Sequence, residues 1–313
     1  MIDKVSVLGA GTMGHRIANV FAMNGYKVNL YDKFDSVRNV AIKKIKSDLE
    51  FMVNENYIPE SKIEYTLSNI SIYSDLKAAV ENADYVIEAV PEILELKQNL
   101  FKQLDDLCPP NTIFASNTSS LKLKDIMTLV SDDRKARTMI CHWYNPAHLI
   151  PIAELSCFGN MDEEVFNEVY ALYINSGKKP VKILKDIPGL IANRMLHALA
   201  REVFTLIEMG AASPEDIDQA LKFGPGFRSA TTGMLEVADM GGLDIWCIVE
   251  DGLFKELNNS DKACDMLREK VSEGKLGLKT GEGFFKYSAE KKDSIQTEFY
   301  RRLITQLKAS KYY

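Results

Sequence analysis

Hydrophobic and polar positions alternate in two different ways along the chain. In the first half, short runs of β-branched and aliphatic residues predict strands, and stretches with helical periodicity, such as 75–82, 92–107 and 122–129, predict the helices between them. Alternation at this spacing is typical of a mainly parallel sheet with helices on both faces. The predicted strands are 4–8, 27–31, 69–73, 85–89, 112–116, 138–142 and 181–184.

In the last third of the chain, helical periodicity takes over and strand patterns nearly vanish. Residues 189–209 carry apolar side chains at helical spacing, and Ser213 and Pro214 provide an N-cap and a first-turn proline for the next helix. We therefore predict an α/β domain over residues 1–186 and a smaller all-helical domain over residues 187–313. Three apolar side chains near its start are predicted to lie in the core: Leu190, Ile191 and Met195.

A glycine-rich loop follows the first predicted strand and leads into an amphipathic helix. Its sequence at 9–14, GAGTMG, fits GxGxxG, in which the glycines allow a tight turn, close approach to a pyrophosphate and tight packing of helix on strand. The next strand ends in Asp32, whose carboxylate suits ribose hydroxyls and repels a 2′-phosphate. The sequence therefore predicts an NAD site. Its predicted loop contacts are Gly9, Gly11, Thr12, Met13 and Gly14.

The two residues after this loop, His15 and Arg16, have no role in the motif. Either their side chains face solvent, or they help to neutralise the pyrophosphate. The sequence fits both interpretations.

Composition narrows the class of protein. The 313 residues are 46% hydrophobic and 26% charged, which is typical of a globular protein, and the net charge of −6 disfavours a general nucleic-acid binder. No apolar stretch has the length of a membrane span, and the N-terminus does not have the pattern of a signal peptide. The five cysteines form no CxxC pair, so we expect reduced thiols and a cytoplasmic enzyme.

Candidate chemistry lies after the strand predicted at 138–142. His142 ends this strand, at the edge where open α/β sheets bind ligands, and Glu154 follows twelve residues later. A histidine supported by a carboxylate suits alcohol oxidation, because a base must take the hydroxyl proton as hydride leaves carbon. A structural histidine remains the alternative. The other histidines and acids show no metal-ligand spacing, so no metal is expected.

Seven ordered motifs resemble the L-3-hydroxyacyl-CoA dehydrogenase family, which includes the short 3-hydroxybutyryl-CoA dehydrogenases. The resemblance implies a Rossmann-type, doubly wound domain followed by a helical domain, NAD as cofactor, a small-molecule substrate and a homodimer. It implies neither nucleic acid nor a membrane as partner. The motifs are GAGTMG at 9–14, EAVPEILELK at 88–97, SNTSS at 116–120, HWYNP at 142–146, IAEL at 152–155, PGLIANRM at 188–195 and GLKTGEGFFKY at 277–287.

The resemblance also implies roles for single residues. His142 corresponds to the catalytic base and Glu154 to its carboxylate partner. Ser119 and Asn193 correspond to groups that hold the reacting oxygen, and Asn193 on a sheet-facing side would be a buried amide in need of a hydrogen bond. Asn145 supports the placement of the substrate or of the histidine.

Two further cofactor contacts follow from the resemblance. Glu92 and Lys97 match an acid and a lysine that contact the cofactor in the family. From the residues alone, an acid at a helix start and a solvated lysine fit these positions equally well.

The substrate is the least determined part of the prediction. Where acyl-CoA members of the family carry a serine and a lysine that contact CoA, this chain has Asp48 and Glu55, which would repel a phosphate. Arg228, in the segment GPGFR, resembles the free-acid dehydrogenases of L-gulonate and L-carnitine and would clamp a carboxylate. Alternatively, Arg228 forms a loop ion pair, and the lysines that take over CoA binding are Lys43, Lys44 and Lys46.

Against the free acid, residues 233–242 keep a pattern closer to the acyl-CoA branch. The sequence therefore places NAD-dependent oxidation of a short-chain L-3-hydroxyacyl-CoA slightly ahead of oxidation of a free 3-hydroxy carboxylate. A non-catalytic, cofactor-binding protein similar to lambda-crystallin is the third hypothesis.

Overall fold

A computed structural model describes residues 2–312 of the chain. It divides into two compact units, Met1–Ile191 and Ala192–Tyr313. The sequence places this division slightly earlier, after residue 186.

The first unit is built on one sheet of eight strands in the order β3-β2-β1-β4-β5-β6-β7-β8. All neighbours pair in parallel except β6 and β7, which are antiparallel. The chain order reverses direction between β1 and β4, as in a doubly wound sheet. The strands are β1 Lys4–Leu8, β2 Lys27–Tyr31, β3 Ile70–Tyr73, β4 Tyr85–Glu88, β5 Ile113–Ser116, β6 Thr138–Trp143, β7 Ile152–Ser156 and β8 Lys179–Ile183.

Helices flank this sheet, and two apolar clusters of buried residues form its core. Strands β4, β5 and β6 are buried along their whole length, as expected when both faces of a parallel sheet are covered. The helices are α1 Gly14–Met23, α2 Asp35–Asn54, α3 Ser61–Leu67, α4 Leu76–Val80, α5 Leu94–Leu107, α6 Leu123–Ile126, α7 Asp132–Lys135 and α8 Glu163–Asn175, with a 3₁₀ turn at Met127–Leu129.

The second unit has helices and no strands among its described residues, apart from two isolated β-bridges in the segment 277–286. As predicted, the Ser213 side chain caps one of them by accepting a hydrogen bond from the Asp216 N–H, and Pro214 follows it. The helices are α9 Ala192–Glu208, α10 Pro214–Phe223, α11 Pro225–Ser229, α12 Met234–Gly241, α13 Leu243–Leu253, α14 Asp265–Ser272 and α15 Lys292–Ala309, with 3₁₀ turns at Ala289–Lys291 and Ser310–Tyr312. The predicted fold class, a Rossmann-type sheet followed by a helical domain, is confirmed.

Three predicted details of these elements are wrong. The strand Ile152–Ser156 is absent from the prediction. Of the apolar side chains expected in the core near α9, Leu190 is buried, but Ile191 and Met195 are exposed, Met195 by 62%. The helix also begins at Ala192 rather than at residue 189, because Gly189 and Leu190 both have a left-handed backbone with φ of +80° and +49°.

Candidate active site

The phosphate loop joins β1 to α1, beside the point where the strand order reverses. Gly9 has φ +94°, and a Cβ there would lie 2.8 Å from the carbonyl oxygen of Ala89. A Cβ on Gly14 would lie 1.6 Å from the carbonyl oxygen of Gly9, so the helix start packs directly on the turn. A Cβ on Gly11 would meet nothing within 4 Å. Space therefore opens only over the middle glycine, where the motif places the pyrophosphate.

Asp32 lies at the carboxyl end of β2 and supports the same loop. One carboxylate oxygen accepts a hydrogen bond from the Ala10 N–H at 2.9 Å, and the other accepts one from the Phe34 N–H at 3.0 Å. The side chain remains half-buried. A carboxylate fixed next to the loop fits the ribose diol of NAD, so the loop and Asp32 together fit the predicted cofactor.

A buried ion-pair network lies at the ends of β4 and β5. Lys97 Nζ, only 1% exposed, lies 2.6 Å from Glu88 Oε1 and 3.2 Å from Glu92 Oε2. The Ser116 hydroxyl donates to Glu88. Glu88 is not among the site residues predicted from the sequence, although an acid at the end of a wholly apolar strand is a signal that marks it. The ammonium group of Lys97 therefore lies between two carboxylates, and its charge is balanced within the protein.

Glu92 organises the turn after β5. Its Oε1 accepts hydrogen bonds from the Thr118 hydroxyl at 2.5 Å and from the Ser119 and Ser120 N–H groups at 3.0 and 3.1 Å. Burial alone would raise the pKa of Glu92, but the hydrogen bonds from Thr118 and Ser120 and the charge of Lys97 lower it to about 2. The Ser119 hydroxyl is exposed and makes no hydrogen bond among residues 2–312, so it is available to a substrate.

His142 and Glu154 are brought together by the antiparallel pairing of β6 and β7, in which they are direct partners. His142 Nδ1 lies 2.9 Å from Glu154 Oε2, and Glu154 Oε1 accepts the N–H of Ile191 at 2.9 Å. Glu154 is fully buried and His142 is 4% exposed. A carboxylate only accepts hydrogen bonds, so Nδ1 is the donor, and in the neutral form of the ring the free lone pair lies on Nε2. In the part of the chain that the structure describes, Nε2 makes no hydrogen bond.

The remaining predicted site residues fall into both units. Asn145, in the loop after β6, has an exposed side chain whose oxygen accepts a hydrogen bond from Arg16 Nη1 at 3.2 Å. In the second unit, Asn193 lies in the first turn of α9 and is half-buried rather than buried. Arg228 is exposed on α11. The alternative for this residue requires an ion pair in the loop, but within residues 2–312 its guanidinium forms none.

The two residues that follow the phosphate loop have defined partners. His15 Nδ1 donates to the carbonyl oxygen of Gly11 at 2.5 Å, and Arg16 Nε donates to Asp48 Oδ2 at 3.1 Å. Neither residue simply faces solvent, because His15 is 2% exposed and the Arg16 side chain 12%.

Comparison with known proteins identifies the family. The profile of the 3-hydroxyacyl-CoA dehydrogenase NAD-binding domain matches residues 4–187, and the profile of the C-terminal domain of the same enzymes matches residues 189–287. The chain belongs to the 3-hydroxyacyl-CoA dehydrogenase family. It is therefore an NAD-dependent oxidoreductase of that type, and the predicted family and cofactor are confirmed.

Relatives within this family differ in their named substrates. The chain is 34% identical over 97% of both chains to a 5-formyl-3-hydroxy-2-methylpyridine 4-carboxylate 5-dehydrogenase of Mesorhizobium japonicum. It is 35% identical to human mitochondrial hydroxyacyl-coenzyme A dehydrogenase over 92% of both chains. A crystal structure of a dehydrogenase of the former name, described as an NAD⁺-dependent dismutase, superimposes with a TM-score of 0.90 at 32% identity over 99% of both chains.

Other expected features concern metals, thiols and membranes. All five cysteines are free thiols. In the described part of the chain, no three histidine, cysteine or acidic side chains are grouped as metal ligands. No helix between residues 2 and 312 combines the length and the apolar character that crossing a membrane requires.

Proposed function

We propose that the protein oxidises a compact free carboxylate that bears a hydroxyl group or a hydrated formyl group, with NAD as the hydride acceptor. The observation that carries the choice of substrate is the state of Asp48. Its side chain is only 14% exposed and is committed to Arg16, and a carboxylate has no donor to offer a phosphate. The sequence preference for a CoA thioester depends on a pattern at residues 233–242, which does not include Asp48.

The chemistry of the site follows from its hydrogen bonds. His142 Nε2 takes the proton of the substrate hydroxyl, and Glu154 stabilises the imidazolium that forms. The Ser119 hydroxyl and the Asn145 amide act as donors to substrate oxygens. When bound, NAD supplies the acceptor for the hydride that leaves carbon. A hydrated aldehyde is a diol at the reacting carbon, so the same base serves a hydroxy acid and a formyl acid.

The named substrates of the relatives support this order. The pyridine-carboxylate dehydrogenase matches more of the chain than the human enzyme does, and its name describes a formyl acid without CoA. The human relative supports a second candidate, oxidation of a short L-3-hydroxyacyl-CoA, at similar identity. The exposed Lys43, Lys44 and Lys46 on α2 are the cations that this second substrate would use.

One panel of substrates decides between these candidates. NADH formation is measured with 3-hydroxybutyrate, L-gulonate, L-carnitine and 3-hydroxybutyryl-CoA. We expect turnover with a free acid, and Arg228→Ala should raise its KM by about 10–100-fold, as for loss of a hydrogen bond to a charged group. Lys222→Ala, which removes another exposed cation of the second unit, should leave KM unchanged. Turnover only with the thioester would refute the free-acid proposal.

We also infer a homodimer that associates through the helical unit. Buried apolar side chains are few there (Ile217, Ala238 and Ile304), whereas large apolar side chains on α9, α12 and α13 are exposed. Exposed apolar surface of this extent is typical of an interface. Light scattering should give twice the chain mass for the wild type and the single-chain mass for Leu199→Glu. A wild-type monomer would contradict the inference.

A further inference from the structure

Arg16 bridges three elements around the site. It lies on α1, two residues after Gly14, and its guanidinium reaches Asp48 on α2 and Asn145 in the loop after β6. The glycine-loop motif does not require an arginine here, and the catalytic scheme above does not use its charge. The contact to Asn145 joins positions 129 residues apart in the chain. The helix of the cofactor loop is therefore linked directly to the segment that follows His142.

Asp48 anchors the guanidinium. Its Oδ2 accepts from Arg16 Nε at 3.1 Å and lies 3.6 Å from His15 Nε2, while its Oδ1 lies 3.8 Å from His148 Nε2. Burial alone would raise the pKa of Asp48, but the nearby His15 and the charge of Arg16 outweigh burial and lower it. The carboxylate therefore stays ionised, which keeps the guanidinium in place.

The contact determines how the Asn145 amide is turned. A guanidinium has only donors, so the amide must direct its oxygen toward Arg16 and its NH₂ group away from it. In residues 2–312 this NH₂ group makes no hydrogen bond, and the side chain is exposed. Three residues after His142, an oriented donor without a protein partner is thus held ready for an oxygen acceptor.

We propose that Arg16, anchored by Asp48, is a positioning residue that fixes the Asn145 amide with its NH₂ group as a donor to a substrate oxygen. The inference rests on the proposed dehydrogenase activity but not on the choice between free acid and thioester. Asn145 acts on the substrate, and Arg16 acts through Asn145.

The test is a double-mutant cycle of Arg16→Ala and Asn145→Ala, measured with whichever substrate of the panel yields NADH. Each single variant should lower kcat/KM by about 10–100-fold, and the double variant should be no worse than the weaker single one. Arg16→Lys should recover part of the loss. Asn145→Asp keeps an acceptor for Arg16 but removes the NH₂ donor, so it should lose as much activity as Asn145→Ala.

A matched control is the other buried arginine–aspartate pair. Arg134 Nε lies 3.0 Å from Asp105 Oδ1 at the opposite edge of the sheet, where the arginine also binds the carbonyl oxygen of Thr112. Arg134→Ala should lower the melting temperature. The fold-change in kcat/KM of the double variant Arg134→Ala/Asn145→Ala should equal the product of the fold-changes of the two single variants. If the Arg16→Ala effect came only from a general loss of stability, the cycles of Arg16 with Asn145 and of Arg134 with Asn145 would give the same result.

Three results would overturn the proposal: independent effects of Arg16→Ala and Asn145→Ala, wild-type kcat/KM in Asn145→Asp, or a change below about threefold in Arg16→Ala. If no panel substrate reacts, the proposed function fails, and the NMR signals of the Asn145 side-chain amide still test the positioning. Arg16→Ala should shift these signals, and unchanged signals would refute the role. If Arg16→Ala does not fold, Arg16→Lys and Asn145→Asp decide.

Discussion

Replacing Glu154 with glutamine tests the partnership that the sheet creates at the end of β6. The carboxylate is fully buried, and its two oxygens accept from His142 Nδ1 and from the Ile191 N–H, each at 2.9 Å. A glutamine has only one oxygen. If that oxygen stays on Ile191, the new NH₂ group donates to Nδ1 and moves the ring proton to Nε2. In the opposite orientation, two donors face each other at Ile191.

The size of the effect follows from these two losses. A hydrogen bond to a charged group contributes about 1.5–3 kcal/mol, which corresponds to roughly 10–150-fold in rate when it acts on the imidazolium in the transition state. The wrong tautomer adds to this, because Nε2 then carries a proton and cannot act as a base. We therefore expect kcat to fall by about 10²–10⁴-fold.

The assay is steady-state NADH formation at saturating NAD, with the melting temperature as a control for folding. Glu154→Asp keeps the charge on a shorter side chain and should retain more activity than Glu154→Gln. A Glu154→Gln enzyme with kcat within about threefold of the wild type would refute the roles assigned to both residues.

Three further predictions concern the cofactor site and stability. Asp32→Ala should weaken NAD binding by about 10-fold or more in fluorescence titrations, and the difference between the affinities for NAD and NADP should become smaller. Unchanged NAD affinity would contradict the assignment of Asp32 to the ribose. Gly11→Ala should fold normally but bind NAD weakly. Gly14→Ala should fail to fold, because its Cβ would lie 1.6 Å from a carbonyl oxygen. Equal behaviour of the two variants would be inconsistent with the loop geometry. Burial lowers the pKa of Lys178 from 10.5 to about 7, so between these values the unfolded chain binds more protons and stability should rise with pH. Lys178→Met should flatten that rise in thermal melts; the same rise in both proteins would exclude Lys178 as its source.

The sequence predicted those parts of the fold that local patterns determine. Continuous apolar runs marked β4, β5 and β6, and the glycine spacing marked the loop before α1, because both depend on residues close together in the chain. Strand β7 was missed because Glu154 interrupts its apolar pattern. That acid is stabilised in a buried strand by hydrogen bonds with His142 and Ile191, which no local window contains.

The same limit applies to the charges around the site. The sequence shows that Asp48 offers a phosphate no donor, but it does not show that Arg16, 32 residues away, holds this carboxylate, because the packing of α1 and α2 brings the two together. The periodicity of α9 predicts a core face, but a periodic pattern does not by itself distinguish a buried apolar face from an exposed one. Met195 is the clearest case.

The variant His142→Ala shows whether His142 is the base of this NAD-dependent dehydrogenase. Turnover and the Kd for NAD are measured on the same preparation. We expect kcat to fall by about 10²–10⁴-fold while the Kd for NAD changes by less than about threefold, because the base is not a cofactor ligand. Near-normal kcat in His142→Ala would exclude His142 as the base.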